Sequence, residues 1–184
     1  MGGEERDARM DQASEVMAEI RIAAIPLVED VSVDTLLAGV VAALMAQGHR
    51  LAGFRQTRTE ACGMAVEDLS GGGLFGISQR LGPGSTGCSL DPQGLAEAAG
   101  AALLALEGGP ALVVLPRYGK AEAEGHGFRA VIEKACERQI PVLAAVRRDC
   151  TASWEDFTGG CAEWLAPDPQ AVLDWCRRAM PLRA

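Results

Sequence analysis

Residues 77–89 read ISQRLGPGSTGCS. Glycines at 82, 84 and 87 free the backbone to curve, and a curved run of N–H groups makes a concave nest for an anion. Ser78, Gln79, Ser85, Thr86 and Ser89 add side-chain donors, with Arg80 and Cys88 at either end of the turn. The chemistry this composition suits is the holding of an oxyanion. Arginines strengthen such a site through bidentate, charge-assisted hydrogen bonds. Each bond to a charged group contributes about 1.5–3 kcal/mol. A few together support roughly micromolar binding, about 8 kcal/mol, after the cost of ordering.

More cations follow the apolar runs of the chain. Arg55 and Arg58 come after LAGF, Arg117 and Lys120 after ALVVL, and Arg147 and Arg148 after IPVLAAV. Ligands of open α/β sheets bind beyond the carboxyl ends of the strands. Seven of the 17 Lys and Arg residues, Arg80 included, are therefore expected along one edge, near the glycine turn. The candidate anion site comprises Arg55, Ser78, Gln79, Arg80, Gly82, Gly84, Ser85, Thr86, Gly87, Cys88, Arg117, Lys120 and Arg147. Each has a plainer role as well. A Gly/Pro/Ser stretch serves as a connector, and a cation after a strand pairs with a neighbouring acid or helix carbonyl. Cys88 reads more readily as a small buried thiol than as a ligand. His126 reads as a surface residue at a helix start, and Glu122 and Glu124 as solvated.

The elements that must position these residues alternate along the chain. Residues 20–28 (IRIAAIPLV) read as a buried strand. A helix follows over 33–48, with Leu36, Leu37, Val40, Val41, Leu44 and Met45 at helical spacing, Ser32 or Asp34 as cap and Gly48 as stop. Residues 51–56 form a second strand. Residues 64–79 form a hairpin about Ser70–Gly73. Asp91-Pro92 opens a helix running to about Glu107, with Leu95, Leu103 and Leu106 inward. ALVVL (111–115) and IPVLAAV (140–146) are continuous apolar runs, the mark of strands covered on both faces. Between them lies a helix carrying Phe128, Val131, Ile132 and Ala135. A short helix anchored by Trp154 and Phe157, an edge strand in CAEWL and a closing helix over 168–180, with Val172, Leu173 and Cys176 inward, complete the chain. This alternation implies α/β architecture: a mostly parallel sheet covered on both faces, with one antiparallel hairpin inserted. Residues 1–18 read as a mobile tail and 19–184 as a single domain.

The totals bound the partners. With a net charge of −8 and a pI near 4.8, the chain suits neither nucleic acid nor an anionic membrane. No apolar run approaches the roughly 20 residues that span a bilayer. The acidic, polar start is unlike a secretory signal. The six cysteines form no CxxC pair, so no structural metal site is expected, and reduced thiols in a cytoplasmic protein are the plain reading. Helix faces rich in Ala and Gly are compatible with homo-oligomer packing.

The order of elements is similar to that of P-loop nucleoside-triphosphatases of the thermophile type and of molybdopterin-guanine-dinucleotide adapter proteins. The resemblance covers most of residues 20–180 and implies a three-layer, Rossmann-like, P-loop-type fold. In those families the first strand runs into GxxxxGK[ST], the second carries a "GF" segment, here Gly53-Phe54, and a later strand ends in Asp-Glu-x-Gly-Lys. Here the phosphate-loop position reads PLVEDVSVD, with Glu29, Asp30 and Asp34 where phosphates would sit. The metal position reads LPRYGK, with Pro116 and Arg117 in place of the acids. Carboxylates repel a nucleotide and a cation cannot hold Mg²⁺, so ordinary NTP hydrolysis is not expected.

The segments LGPGSTGCSLDP and RYGKAEAEG, with IPVLAAVR and Trp154, resemble domain-of-unknown-function family 2478, whose genes lie beside molybdate ABC-transporter genes. That resemblance implies a link to molybdenum. It joins the physical reading, because molybdate and tungstate are tetrahedral dianions suited to N–H nests, hydroxyls and arginines. The expectation is a binding protein for molybdate, tungstate or an oxometalate cluster, serving metal buffering, delivery or sensing and requiring no cofactor. Two alternatives stay open. One is a divergent enzyme acting on a nucleotide or pterin nucleotide of molybdenum-cofactor metabolism. The other is a non-catalytic adapter for a transporter ATPase or a molybdoenzyme maturation (cofactor-insertion) partner.

Overall fold

The structure is a computed structural model and describes residues 19–59, 63–84 and 88–181. The expected tail, and Ser85, Thr86 and Gly87 of the glycine turn, lie outside the described residues. In chain order the elements are β1 (Ile22–Pro26), α1 (Val33–Ala46), β2 (Leu51–Arg58), β3 (Met64–Asp68), β4 (Leu74–Gly76), β5 (Ser78–Arg80), β6 (Cys88–Leu90), α2 (Pro92–Ala105), β7 (Leu112–Tyr118), α3 (Lys120–Ala123), α4 (Arg129–Glu137), β8 (Val142–Val146), α5 (Thr151–Thr158), β9 (Glu163–Trp164) and α6 (Pro169–Ala179).

Seven strands form one sheet in the order β4-β3-β2-β7-β8-β1-β9. The run from β2 to β9 is parallel, while β3 and β4 add the antiparallel hairpin. Every residue of β8 is buried, as its unbroken apolar run requires. One face is covered by α1 and α6, which pack Leu37, Val40, Leu44, Val172 and Cys176 on the sheet. The other is covered by α2, α4 and α5, and it holds Phe54, Tyr118, Phe128 and Trp154. These are the three layers that the alternation implied.

Gly53 shows why the second strand carries a glycine. Its φ is +96°, and a Cβ there would lie 2.0 Å from the carbonyl oxygen of Val114 on β7. Only glycine allows the two strands to run together at that point.

Four details differ from the sequence reading. Met45 is 44% exposed, because it lies on the flank of the α1 stripe rather than its centre. Leu103 and Leu173 are only half-buried. β7 runs on through Pro116 and Arg117 to Tyr118, with an irregular register after Leu115. The fully buried Tyr118 ring, packed on Trp154 and Phe157, holds the strand past the point where its apolar run stops. Finally, residues 78–80 and 88–90 pair as an antiparallel ribbon, Ser78 opposite Leu90 and Arg80 opposite Cys88. Residues 78–80 and 88–90 are therefore the two strands of a second, separate ribbon.

Candidate functional site

The carboxyl ends of β1, β7 and β8 meet at one edge. Leu27 N donates to Val146 O at 3.0 Å, which carries the β1 exit alongside β8. Arg147 N donates to Tyr118 O, also at 3.0 Å, which ties the β8 exit to that of β7. Arg117, Lys120 and Arg147 are thereby brought to one place. Gly119 lies between the first two, and a Cβ on it would stand 3.1 Å from Arg147 Cδ, so the arginine stem passes directly over this glycine.

Helix α1 starts across the gap. Ser32 caps it, its Oγ accepting from Thr35 N at 3.3 Å. With the cap filled, the Asp34 carboxylate is left to reach outward. Arg117 meets it with both ends of its fork, Nη1 to Oδ1 at 2.7 Å and Nη2 to Oδ2 at 2.9 Å. Nη1 also donates to Pro116 O at 2.5 Å. The pair is 30% and 37% exposed, so water reaches it.

Arg147, Lys120 and Arg55 have acidic neighbours as well. Arg147 donates Nε and Nη2 to the two oxygens of Asp149, at 3.0 and 2.9 Å. The Arg147 hydrogen bonds hold the Asp149 carboxyl below the usual carboxylate range. Lys120 reaches Glu124 at 3.8 Å but remains 82% exposed. Arg55 donates Nε to Glu67 Oε2 at 2.7 Å across the β2–β3 ladder, and this bond raises its already high pKa. Arg58 and Arg148 are exposed and carry no ion pair among the described residues.

The glycine hairpin hangs to one side. Ser78 Oγ accepts from Met64 N at 2.7 Å, so this hydroxyl is already used in tying the ribbon to β3. Gln79 pairs through its backbone with Ser89, and Arg80 with Cys88. Gly82 and Gly84 have φ of +55° and +94° and open space around them. Among the described residues, no hydrogen bond or ion pair joins this hairpin to Arg117, Lys120 or Arg147. The structure thus brings the β7–α3 segment and the β8 exit, which carry Arg117, Lys120 and Arg147, to the same end of the sheet, each cation paired with an acid of its own, and leaves Arg55 with Glu67 on the β2–β3 ladder.

Two acids carry more than the sequence reading assigned to them. Glu122 is not solvated: it is 4% exposed, and it accepts from Gly119 N at 2.9 Å and Phe128 N at 3.0 Å. Its carboxylate shapes the loop that carries Gly119 and Lys120. Asp34 is the acid that Arg117 binds. The segment EGHG hinted at the first, because Gly127 (φ +58°) leaves room for Glu122 where a Cβ would come within 2.1 Å of Oε1. No signal in the sequence marked the second. His126 is exposed, as expected. No group of three or more His, Cys, Asp or Glu side chains converges among the described residues. Burial pushes the Cys136 thiol up to about 11 and that of Cys176 to about 12, so both are poor nucleophiles at neutral pH.

Comparison with known proteins gives this edge its context. The family model described as "Protein of unknown function (DUF2478)" matches residues 22–175. The molybdenum import ATP-binding protein ModC 2 of Bradyrhizobium diazoefficiens is 36% identical over 162 residues. That match covers 85% of this chain but 18% of the relative, so the chain spans about a fifth of the relative's length. Among solved structures, THEP1 from Aquifex aeolicus superposes with a TM-score of 0.60 at 16% identity, covering 83% of this chain and 95% of that one. A human cancer-related nucleoside triphosphatase superposes at 0.54 with 14% identity, covering 78% and 87%. These two show the fold: a three-layer, P-loop-type α/β domain. No described helix is long and apolar enough to cross a membrane. The chain belongs to the DUF2478 family.

Proposed function

We propose that this member of the DUF2478 family is a cytoplasmic binding module of molybdenum handling, which takes molybdate or tungstate at the carboxyl edge of β7 and β8. The observation that carries the reading is the Arg117 fork. It is already oriented to receive an oxyanion edge, since it grips the Asp34 carboxylate with two charge-assisted bonds at 2.7 and 2.9 Å. A tetrahedral dianion offers a guanidinium a similar pair of oxygens and more charge. Lys120 and Arg147 lie on segments at the same end of the sheet, Lys120 beside Glu124 and Arg147 on Asp149, in a chain with net charge −8. In this reading the glycine hairpin would add backbone donors, with Gly82 and Gly84 in open space, while Ser78 and Arg55 are engaged with Met64 and Glu67. The relation to a molybdenum import ATP-binding protein supports molybdenum as the element. Nucleotide hydrolysis fits poorly, because Glu29, Asp30 and Asp34 stand where a phosphate loop would be, and Arg117 stands where a metal-binding acid would be.

The test is titration calorimetry with sodium molybdate, tungstate, sulfate and phosphate. Molybdate and tungstate are expected to bind, and Arg117→Ala to weaken binding about tenfold or more, consistent with losing a bond to a charged group. Silence at millimolar concentration sinks the reading, and equal binding of sulfate reduces it to a generic anion site. A second reading is an adapter for a transporter ATPase. It draws on the match to one segment of a much longer import protein. Pull-down of the ATPase that survives Arg117→Ala and Lys120→Ala favours the adapter. A melting temperature raised by ATP, GTP or a pterin nucleotide, with or without Mg²⁺, favours a nucleotide-binding enzyme.

A further inference from the structure

We infer that Asp34 is a built-in occupant of the anion site, a carboxylate that an incoming oxyanion must displace and that selects which anions succeed. The inference rests on the oxyanion reading above and concerns the same fork.

Three observations point to it. First, the pair is saturated in the way a ligand would saturate it: each terminal nitrogen of Arg117 meets a different oxygen of Asp34. Second, α1 does not use this carboxylate as its cap, because Ser32 accepts from Thr35 N and so fills that role. Third, the pair is open to water, at 30% and 37% exposure, so a released carboxylate is solvated at once. Glu122 supplies the contrast. It is 4% exposed and bonded to two backbone N–H groups, so its release would leave buried donors unsatisfied. One carboxylate is built to stay, whereas the other is placed to exchange.

Selectivity follows from charge. A monoanion offers Arg117 nothing that Asp34 does not, and it competes against a partner held at high effective concentration. A compact dianion brings twice the charge to the Arg117 fork. A longer polyanion extends toward the exposed Glu29 and Asp30 on the β1–α1 connection and is repelled. The site therefore favours small, doubly charged tetrahedra over chloride, formate or nucleotides.

The experiment is calorimetric titration of sodium molybdate into the full chain, Asp34→Asn, Asp34→Ala, Arg117→Ala and the Asp34→Asn/Arg117→Ala double variant, with circular dichroism confirming that each is folded. The Asp34 variants are expected to bind about two- to fivefold more tightly than the parent, the worth of a solvent-reached ion pair, and the double variant to lose that gain. Binding by the parent with equal or weaker binding by both Asp34 variants overturns the inference and leaves the oxyanion reading standing. Silence from the parent and all folded variants overturns both. Binding unchanged in Arg117→Ala puts the anion elsewhere and overturns the inference.

Discussion

The β1–α1 connection and the β7–α3 connection face each other across the same sheet edge and carry opposite charge. The first, with the opening turn of α1, presents Glu29, Asp30 and Asp34, and the second, with the end of β7 and the start of α3, presents Arg117 and Lys120. In the nucleoside-triphosphatase pattern this chain resembles, the signs are the other way round, with a lysine on the first connection and acids on the second. What joins the two segments here is the Arg117–Asp34 pair. Beneath the basic connection Glu122 fastens the loop from inside, but no buried carboxylate is found under the acidic one among the described residues.

The contrast can be broken most severely at Glu122. Replacing it by alanine strands the buried N–H groups of Gly119 and Phe128 and is expected to destabilise the fold by about 3 kcal/mol, read by urea unfolding. Glu122→Gln keeps an acceptor and is expected to cost less. Equal losses from the two variants would mean that packing, not hydrogen bonding, holds the loop. A double-mutant cycle on Asp34 and Arg117 sharpens the comparison further. A coupling of about 0.5–1 kcal/mol is expected for a pair one-third exposed, and it should shrink in high salt. A coupling of zero would show that the two connections are positioned independently. The smallest effect belongs to Asp149. Its folded pKa is depressed, so the stability it lends is present above the ordinary carboxylate value and is lost as pH falls through the depressed one. Asp149→Asn should flatten the acid limb of the melting-temperature profile slightly. A steeper limb would contradict the sign.

Much of the fold was legible because buried parallel strands need unbroken apolar runs. ALVVL and IPVLAAV could be read as strands wherever they stood, and α1 could be read from its spacing and its serine cap. The true end of β7 was not legible. Pro116 and Arg117 break the apolar run, and only the later packing of Tyr118 on Trp154 and Phe157 carries the strand through them. Topology brings the segments of Arg117, Lys120 and Arg147 to one end of the sheet, whereas Arg55 and Arg58 lie within β2 and Arg80 within β5 instead of following their strands. The acidic partners were not legible, because Asp34 meets Arg117 through the sheet order and not through local sequence. Glu122 was misread for a related reason: its partners are backbone N–H groups, which leave no trace in a list of charged residues. The hairpin of β5 and β6 lacks strong alternation, so its pairing appears only in three dimensions.

Arg117 and Asp34 lie 83 positions apart. A contact of such long range between surface side chains is expected to form after the strands between have taken their places, which stopped-flow folding of Arg117→Ala would test. Weakening it should leave the rate of folding nearly unchanged and hasten the reverse passage. The pair thus acts as a latch on the lifetime of the native state, and the fork that greets an anion also times the escape of the chain.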